Sequence, residues 1–216
     1  MNSDDVRALI ESEDYGDRII GIERLGNIDP AAAFELLKPV ITDEHPRVRY
    51  TAASKMATMG TVDRASALEL LRDRVRTDSE LDVRAAAADA LGALGLKEAF
   101  DDLQQLYNST TDWIVRMSVV AALGEMKHDR AFPVLEDALE TGEDLVKIIA
   151  IGALGELGDD RAIDLILPFV DSNDAQMRFR VAKALGNLNG DAARSALEKL
   201  AADPAEQVAR EAGSYL

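Results

Sequence analysis

"IGALGELGDDRAIDLIL", residues 151–167, decides the fold. Small and aliphatic residues precede a short turn and an amphipathic run follows it, so both flanks read as helix. Yet glycines stand at 152, 155 and 158. An interior glycine costs a helix about 1 kcal/mol against alanine, so three of them need a physical reason. The surrounding chain supplies it, because the same stretch recurs. Taking the basic residue eight positions before the Leu-Gly glycine as anchor, copies begin "RIIGIERLG" at Arg18, "RYTAASKMA" at Arg49, "RAAAADALG" at Arg84, "RMSVVAALG" at Arg116, "KIIAIGALG" at Lys147 and "RFRVAKALG" at Arg178. A last, incomplete copy, "VAREAGSYL", places Ala209 at the anchor, so the intervals are 31, 35, 32, 31, 31 and 31 residues.

After each complete copy come a turn and a second amphipathic run, such as "PAAAFELLKPVI", "ASALELLRDRV" or "AIDLILPFV". Each repeat is therefore a helical hairpin, and hairpins of fixed period stack. The pattern predicts an all-α, right-handed α-solenoid in one domain, 1–216. A leading helix covers about 3–11, which "NSDD" can cap. Six hairpins follow at about 13–44, 45–79, 80–111, 112–142, 143–173 and 174–204, and a half-repeat ends the chain at 205–216. No segment shows sustained period-2 alternation.

The glycines now have expected roles. Gly92, Gly124 and Gly155, near the ends of first helices, let the second helix or the next repeat approach closely. Ala57 in the same slot suggests that one methyl is tolerated. Gly95 and Gly158 stop the helix in the left-handed conformation that glycine adopts at no cost. A phosphate-cradling loop is excluded, because no strand precedes the glycines and no GxxxxGK[ST] pattern occurs. Four positions before each anchor stand Asp14, His45, Glu80, Asp112, Glu143 and Asp174. They are expected to cap first helices. The anchoring Arg or Lys, one turn on, can pair with that acid or with an acid of the neighbouring repeat. Recurrence in every copy marks these pairs as structural rather than as an acid/base site.

Composition narrows the function classes. Hydrophobic residues are 47% and aromatics 5%, so alanine and leucine build the core. The net charge of −16 argues against nucleic-acid binding, which draws its affinity from cations on phosphates. The absence of cysteine removes thiol catalysis and fits a reducing compartment. No stretch approaches the 18 apolar residues of a membrane span. The acidic start lacks an apolar signal region, so a cytoplasmic protein is expected. Only two histidines exist, His45 and His128, more than two repeats apart, and no HExxH or Cys/His cluster occurs, so no metal site is expected.

"VRAAAADALGALGLKEAFDDLQQL" and "VKIIAIGALGELGDDRAIDLILPFV" resemble the HEAT-like repeats of phycobilin lyase subunits. "DYGDRIIGIERLGNIDPAAAFELLKPVITDEHPRVRYTAAS" and "EAFDDLQQLYNSTTDWIVRMSVVAALGEM" resemble the small cyanobacterial phycobilisome-degradation proteins of the NblB type. The resemblance covers about residues 13–216. It implies a factor that binds phycobiliproteins, or a bilin or other tetrapyrrole as ligand, and assists chromophore attachment, detachment or remodelling. It carries over no catalytic residue, so a bilin lyase-like activity stays open. A non-catalytic protein-binding scaffold is the alternative.

Departures from the repeat point to candidate contact residues, with the second helices expected to line the concave face. Arg72 and Arg76 share a helix face in "LLRDRVRTDSE". They read either as a dock for acidic partners or propionates, or as local pairs with Glu69, Asp73 and Asp78. The 35-residue interval places an insertion around 75–81, where an extended loop is expected. Trp113, the only tryptophan, occupies a variable slot near Tyr107, and the two read as an aromatic contact or as junction packing. His128 beside Asp129 is a candidate proton donor to a bilin. Leu167 stands where other repeats have Lys38, Gln104 and Glu136, and an exposed leucine there marks a contact surface. Pro39 and Pro168 bend their second helices.

Overall fold

The computed structural model describes residues 3–216. Among the described residues every regular element is helical: fourteen α-helices and three short 3-10 segments, with no strand. After α1 (Ser3–Ile10) the helices fall in pairs. These are α2 (Tyr15–Arg24) with α3 (Pro30–Val40), α4 (Pro46–Met59) with α5 (Arg64–Thr77), and α6 (Leu81–Ala93) with α7 (Phe100–Ser109). Then come α8 (Trp113–Met126) with α9 (Phe132–Thr141), α10 (Asp144–Leu157) with α11 (Ala162–Ile166), and α12 (Ala175–Leu185) with α13 (Asp191–Leu200). An unpaired α14 (Glu206–Gly213) follows. The helices form two compact units, Met1–Ala122 and Leu123–Leu216, with the boundary inside α8. Each unit stacks hairpins in chain order, which is the all-α solenoid class that the repeats predict. The cap expected from "NSDD" falls partly on residue 2, outside the described residues.

The first helices start where the expected acids stand. Asp14 accepts from the N–H groups of Gly16 and Asp17 at 2.7 and 3.2 Å. Asp112 accepts from Ile114 and Val115 at 3.0 and 3.1 Å, and Asp174 from Gln176 at 2.8 Å. Glu80 and Glu143 occupy the same position but make no side-chain cap bond. Their extra methylene moves the carboxylate away from the helix end, which is why Asp caps better than Glu. His45 caps through Nδ1, which accepts from the Arg47 N–H at 3.3 Å.

Among the described residues no ion pair joins an anchor cation to its capping acid. Arg18, Arg49 and Arg178 tie successive repeats together instead. Two residues before the helix starts at 14, 45, 80, 112, 174 and 205 stand Ser12, Asp43, Asp78, Thr110, Ser172 and Asp203. Each accepts, through its side-chain oxygen, the N–H two residues on, at 2.8–3.2 Å. The anchor arginine donates to the carbonyl oxygen of this same residue in its own repeat, as Arg49 does to Asp43 at 3.0 Å and Arg178 to Ser172 at 2.7 Å. Its remaining nitrogens reach the equivalent carboxylate of the next repeat: Arg18 reaches Asp43, Arg49 reaches Asp78, and Arg178 reaches Asp203. Asp78 lies fully covered. Burial pushes its carboxyl up, but the Arg49 bonds, the Glu80 N–H and the charges of Arg49 and Arg74 outweigh that and hold it below the usual range. Where the next repeat has Thr110 the ladder loses its acid, and Arg84 donates to the Val75 carbonyl instead.

The glycines of the opening motif act at two places. A Cβ on Gly92, Gly124 or Gly155 would stand 2.5–2.6 Å from the Cα of Ala122, Ala153 or Ala184 on the next first helix. Consecutive first helices therefore meet backbone to backbone, and the partner of each glycine is the next repeat, not its own second helix. Gly152 lies under the Arg180 side chain. A Cβ there would stand 3.1 Å from the arginine Cδ, so a methyl would press on a flexible side chain and not on backbone. Gly95 and Gly158 adopt φ of +58° and +74° and end α6 and α10, as expected. In the equivalent position after α8 a lysine, Lys127, takes φ of +50°.

Two second helices depart from expectation. The long interval in the repeat extends α5 to 14 residues, against 10 in α7, α9 and α13, and forms no loop. "ALELLRDRVRT" contains only helix-compatible residues, so the insertion propagates the helix. At Pro168 the chain passes from α11 into a 3-10 turn, Leu167–Phe169, because the ring removes a backbone donor. Pro39 instead sits in the last turn of a continuous α3.

Candidate functional site: an apolar row on the first-helix face

In the first unit, Met1–Ala122, α4 and α6 pack closely along their lengths, whereas α3 and α5 make at most marginal contact. The closest packing between layers of this unit therefore joins first helices. The cause lies in composition, since Gly and Ala at the helix contacts allow an approach that the leucines of the second helices do not.

The first helices of this unit also carry its large exposed apolar side chains, apart from Val62 in the α4–α5 turn. Tyr15, Leu81 and Trp113 are first residues of α2, α6 and α8, and each is more than 40% exposed. One turn further stand Ile19, Tyr50 and Met117, with Tyr50 48% exposed. Positions i and i+4 share a helix face, so these residues form one apolar row across the unit. Tyr15 stacks flat on His45, ring centroids 3.9 Å apart.

The row dips at α6. Here Ala85 and Ala86 stand in the slots that hold Tyr50 and Thr51 on α4 and Met117 and Ser118 on α8. Both alanines are buried. A cavity of about 570 Å³ is lined by Ile19 of α2, by Pro46, Arg47, Tyr50 and Thr51 of α4, and by Glu80, Asp82 and Val83 at the start of α6. Asp89 stands one turn beyond Ala85 on α6. Its residue is open to solvent, yet burial pushes its carboxyl up, only partly opposed by a hydrogen bond from the Ser118 hydroxyl at 3.1 Å. A group that water reaches from above and protein crowds from the sides behaves in this way.

The residues singled out in the sequence are placed differently. Arg72 and Arg76 both bond the carboxylate of Asp102, which is buried on α7, with Arg72 Nε at 2.6 Å. Their partner is thus an acid of the next hairpin rather than Glu69, Asp73 or Asp78. The last two instead hold Arg74. The two guanidiniums share one carboxylate, and Arg76 stays half exposed beside it. Tyr107 is 3% exposed, with the Arg116 guanidinium 5.0 Å over its ring, so it belongs to the core and forms no aromatic surface with Trp113. Trp113 is 41% exposed, as a contact residue requires. His128 lies half-buried in the α8–α9 turn and accepts the Arg130 N–H at 3.1 Å through Nδ1. Leu167 is half-buried rather than exposed. Tyr50, Leu81 and Asp89 had no motif to announce them. Their signal was the comparison of one helix slot across repeats, with alanines at 85 and 86 against Tyr50 and Met117.

The profile of HEAT repeats matches residues 4–91, 68–148 and 141–216. The chain belongs to the HEAT-repeat family. No curated protein sequence matches it. Among solved structures it is similar to the complex of CpcE and CpcF of phycocyanin lyase from Nostoc sp. PCC7120, at 24% identity over 85% of this chain and 74% of that chain, with a TM-score of 0.68. It is similar also to YibA of E. coli, at 19% identity over 99% and 80% of the two chains (TM-score 0.69). The archaeal HEAT-like repeats protein from Thermococcus onnurineus NA1 aligns at 13% identity over 100% and 95%, with a TM-score of 0.58. These likenesses share the fold. No described helix is long and apolar enough to cross a membrane.

Proposed function

We propose that this chain is a protein-binding HEAT-repeat scaffold that receives its partner on the first-helix face of the first unit. The observation that carries the reading is the exposed apolar row Tyr15, Tyr50, Leu81 and Trp113. Scattered apolar side chains on a surface are ordinary, but a row that crosses consecutive first helices at two slots one turn apart is the form that an interaction site takes. The triple substitution Tyr50→Ser, Leu81→Ser and Trp113→Ser removes it without touching a covered residue.

A finer reading makes the partner a phycobiliprotein and the role chromophore handling, with a bilin as the ligand. The family resemblance of the repeats and the fold shared with a phycocyanin lyase subunit support it. Titration with purified phycocyanin and with free phycocyanobilin tests both readings. Binding that changes pigment absorbance supports chromophore handling. Phycocyanin binding without an absorbance change, lost in the triple variant, supports the scaffold alone. Phycocyanin and bilin bound equally by parent and triple variant overturn the assignment of the site.

A further inference from the structure

We propose that Arg180, laid across Gly152 in the second unit, anchors an acidic segment of a partner protein, with a carboxylate of that segment on the guanidinium and its apolar neighbours on α10. The proposal concerns Leu123–Leu216 alone and does not depend on the reading of the first unit.

The glycine carries the first part. An interior glycine weakens a helix, so Gly152 needs a reason of its own. Gly155 meets the backbone of Ala184 and Gly158 takes a left-handed φ of +74°, but Gly152 does neither. The nearest atoms that a Cβ there would meet all belong to Arg180: Cδ at 3.1 Å, Nη1 at 3.4 Å and Nε at 3.7 Å. The bare backbone of α10 is a bed for one arginine side chain, and a methyl would push the guanidinium off it.

An equivalent contact shows what this arginine lacks. Gly152 stands five positions after its anchor and Arg180 two after the next, the slots that Asp89 and Ser118 hold in the first unit. There the Ser118 hydroxyl donates to the Asp89 carboxylate at 3.1 Å. Between α10 and α12 the donor is a guanidinium and the acceptor's place is taken by glycine. Arg180 is half-buried, yet among the described residues no hydrogen bond or ion pair reaches its guanidinium. Other arginines of this unit are held by acids: Arg161 by Asp159, Arg178 by Asp203, Arg194 by Glu198 and Arg210 by Glu206.

The surroundings decide the ligand. Leu145, Ile148, Ile149 and Gly152 share one face of α10. Leu145 is 52% exposed and the isoleucines are half-buried. On α12 an exposed lysine, Lys183, follows Arg180 at i+3, on the same face. One turn beyond Gly152 stands Glu156, in no ion pair with either cation. A planar guanidinium on a fixed bed matches a carboxylate through two parallel bonds. Glu156 limits the local positive charge, so a singly charged carboxylate suits the site better than a phosphate dianion. A chain at −16 repels an acidic segment over most of its surface, which makes an unpaired cation beside apolar side chains the place where such a segment lands.

The test uses three rhodamine-labelled 15-residue peptides. One has leucine on one helical face and glutamate on the other, the second replaces glutamate by lysine, and the third replaces leucine by serine. By anisotropy the Leu/Glu peptide binds the full chain saturably and the other two bind far more weakly. Arg180→Gln weakens it roughly tenfold, the scale of a charge pair partly removed from water. Arg194→Gln, the same charge change on a second helix, leaves it unchanged. Gly152→Ala keeps every charge and melts no lower than the parent, yet it weakens the peptide by displacing the arginine. Circular dichroism verifies that all three variants stay folded. Equal weakening by Arg180→Gln and Arg194→Gln, or equal binding of the Leu/Lys peptide, overturns the proposal, and Gly152→Ala binding like the parent overturns the role given to the glycine. A Leu/Glu peptide lost in the Tyr50→Ser, Leu81→Ser and Trp113→Ser variant but kept in Arg180→Gln binds the first unit and overturns this site. Sodium phosphate that displaces the peptide at lower concentration than sodium acetate overturns the carboxylate assignment.

Discussion

Alanine at Gly155 should destabilise the protein, and alanine at Gly26 should not, although the two glycines occupy the same slot of the repeat. At Gly155 the added Cβ would lie 2.5 Å from the Cα, 2.7 Å from the Cβ and 3.0 Å from the carbonyl oxygen of Ala184. Two of those atoms are backbone, so no rotamer change relieves the clash. Reaching the 3.4 Å of ordinary contact requires α10 and α12 to part by about 1 Å. Overpacking of this kind costs about 1–3 kcal/mol, and the helix propensity gained returns up to about 1 kcal/mol. The net loss is then about 1–2 kcal/mol, or roughly 2–8 °C in melting temperature for a chain of this length. At Gly26 no atom lies within 4 Å. There the substitution restricts only the unfolded chain and should stabilise by about 0.4–1 kcal/mol. Ala57, in the same slot, therefore does not license alanine at 155, because space at one repeat says nothing of space at another. Urea midpoints and thermal melts of both variants measure the effect. A Gly155→Ala protein that melts at or above the parent would refute the backbone-contact account.

Four further outcomes follow from the same geometry. Asp78→Ala strands Arg49 and Arg74 beside a covered site and should cost about 3–5 kcal/mol by urea unfolding. Lys127→Gly should stabilise by about 1 kcal/mol, because it relieves a left-handed conformation that a side chain disfavours. Asp78 and Asp203 are held below the usual carboxylate range, so their contribution is present above the unfolded value of 3.8. It is lost as pH falls through the lower folded values, and melting temperature should drop in that acid window. Asp89 has the opposite sign: its raised folded value means that protonation favours the fold. Asp89→Asn should therefore melt higher than the parent at pH 7 and equally at pH 3.

The repeat period carried the fold because it encodes a local pattern that every copy restates. Caps at Asp14, Asp112 and Asp174, the left-handed Gly95 and Gly158, and the helix pairs were all legible for that reason. Distances between repeats were not. The anchor arginines bond an aspartate 25–29 residues away, and only the stacking of layers shows that Asp43, Asp78 and Asp203 are those partners. The same gap left alternatives open at the site. Arg72 and Arg76 read either as a dock or as partners of Glu69, Asp73 and Asp78, and a carboxylate two helices on, Asp102, takes both. Tyr107 and Trp113 read either as an aromatic contact or as junction packing, and the structure buries the first and exposes the second. The apolar row was written in Tyr15, Tyr50, Leu81 and Trp113, but it becomes visible only when adjacent helices are laid side by side.

The most direct test of the binding face uses Trp113, the chain's only tryptophan, as its reporter. It stands 41% exposed, so emission near that of tryptophan in water is expected for the free protein. Titration with purified phycocyanin should change that emission as the indole leaves water, saturating with the complex that size-exclusion chromatography resolves. A complex that forms while the Trp113 spectrum stays unchanged would place the partner elsewhere and contradict the account.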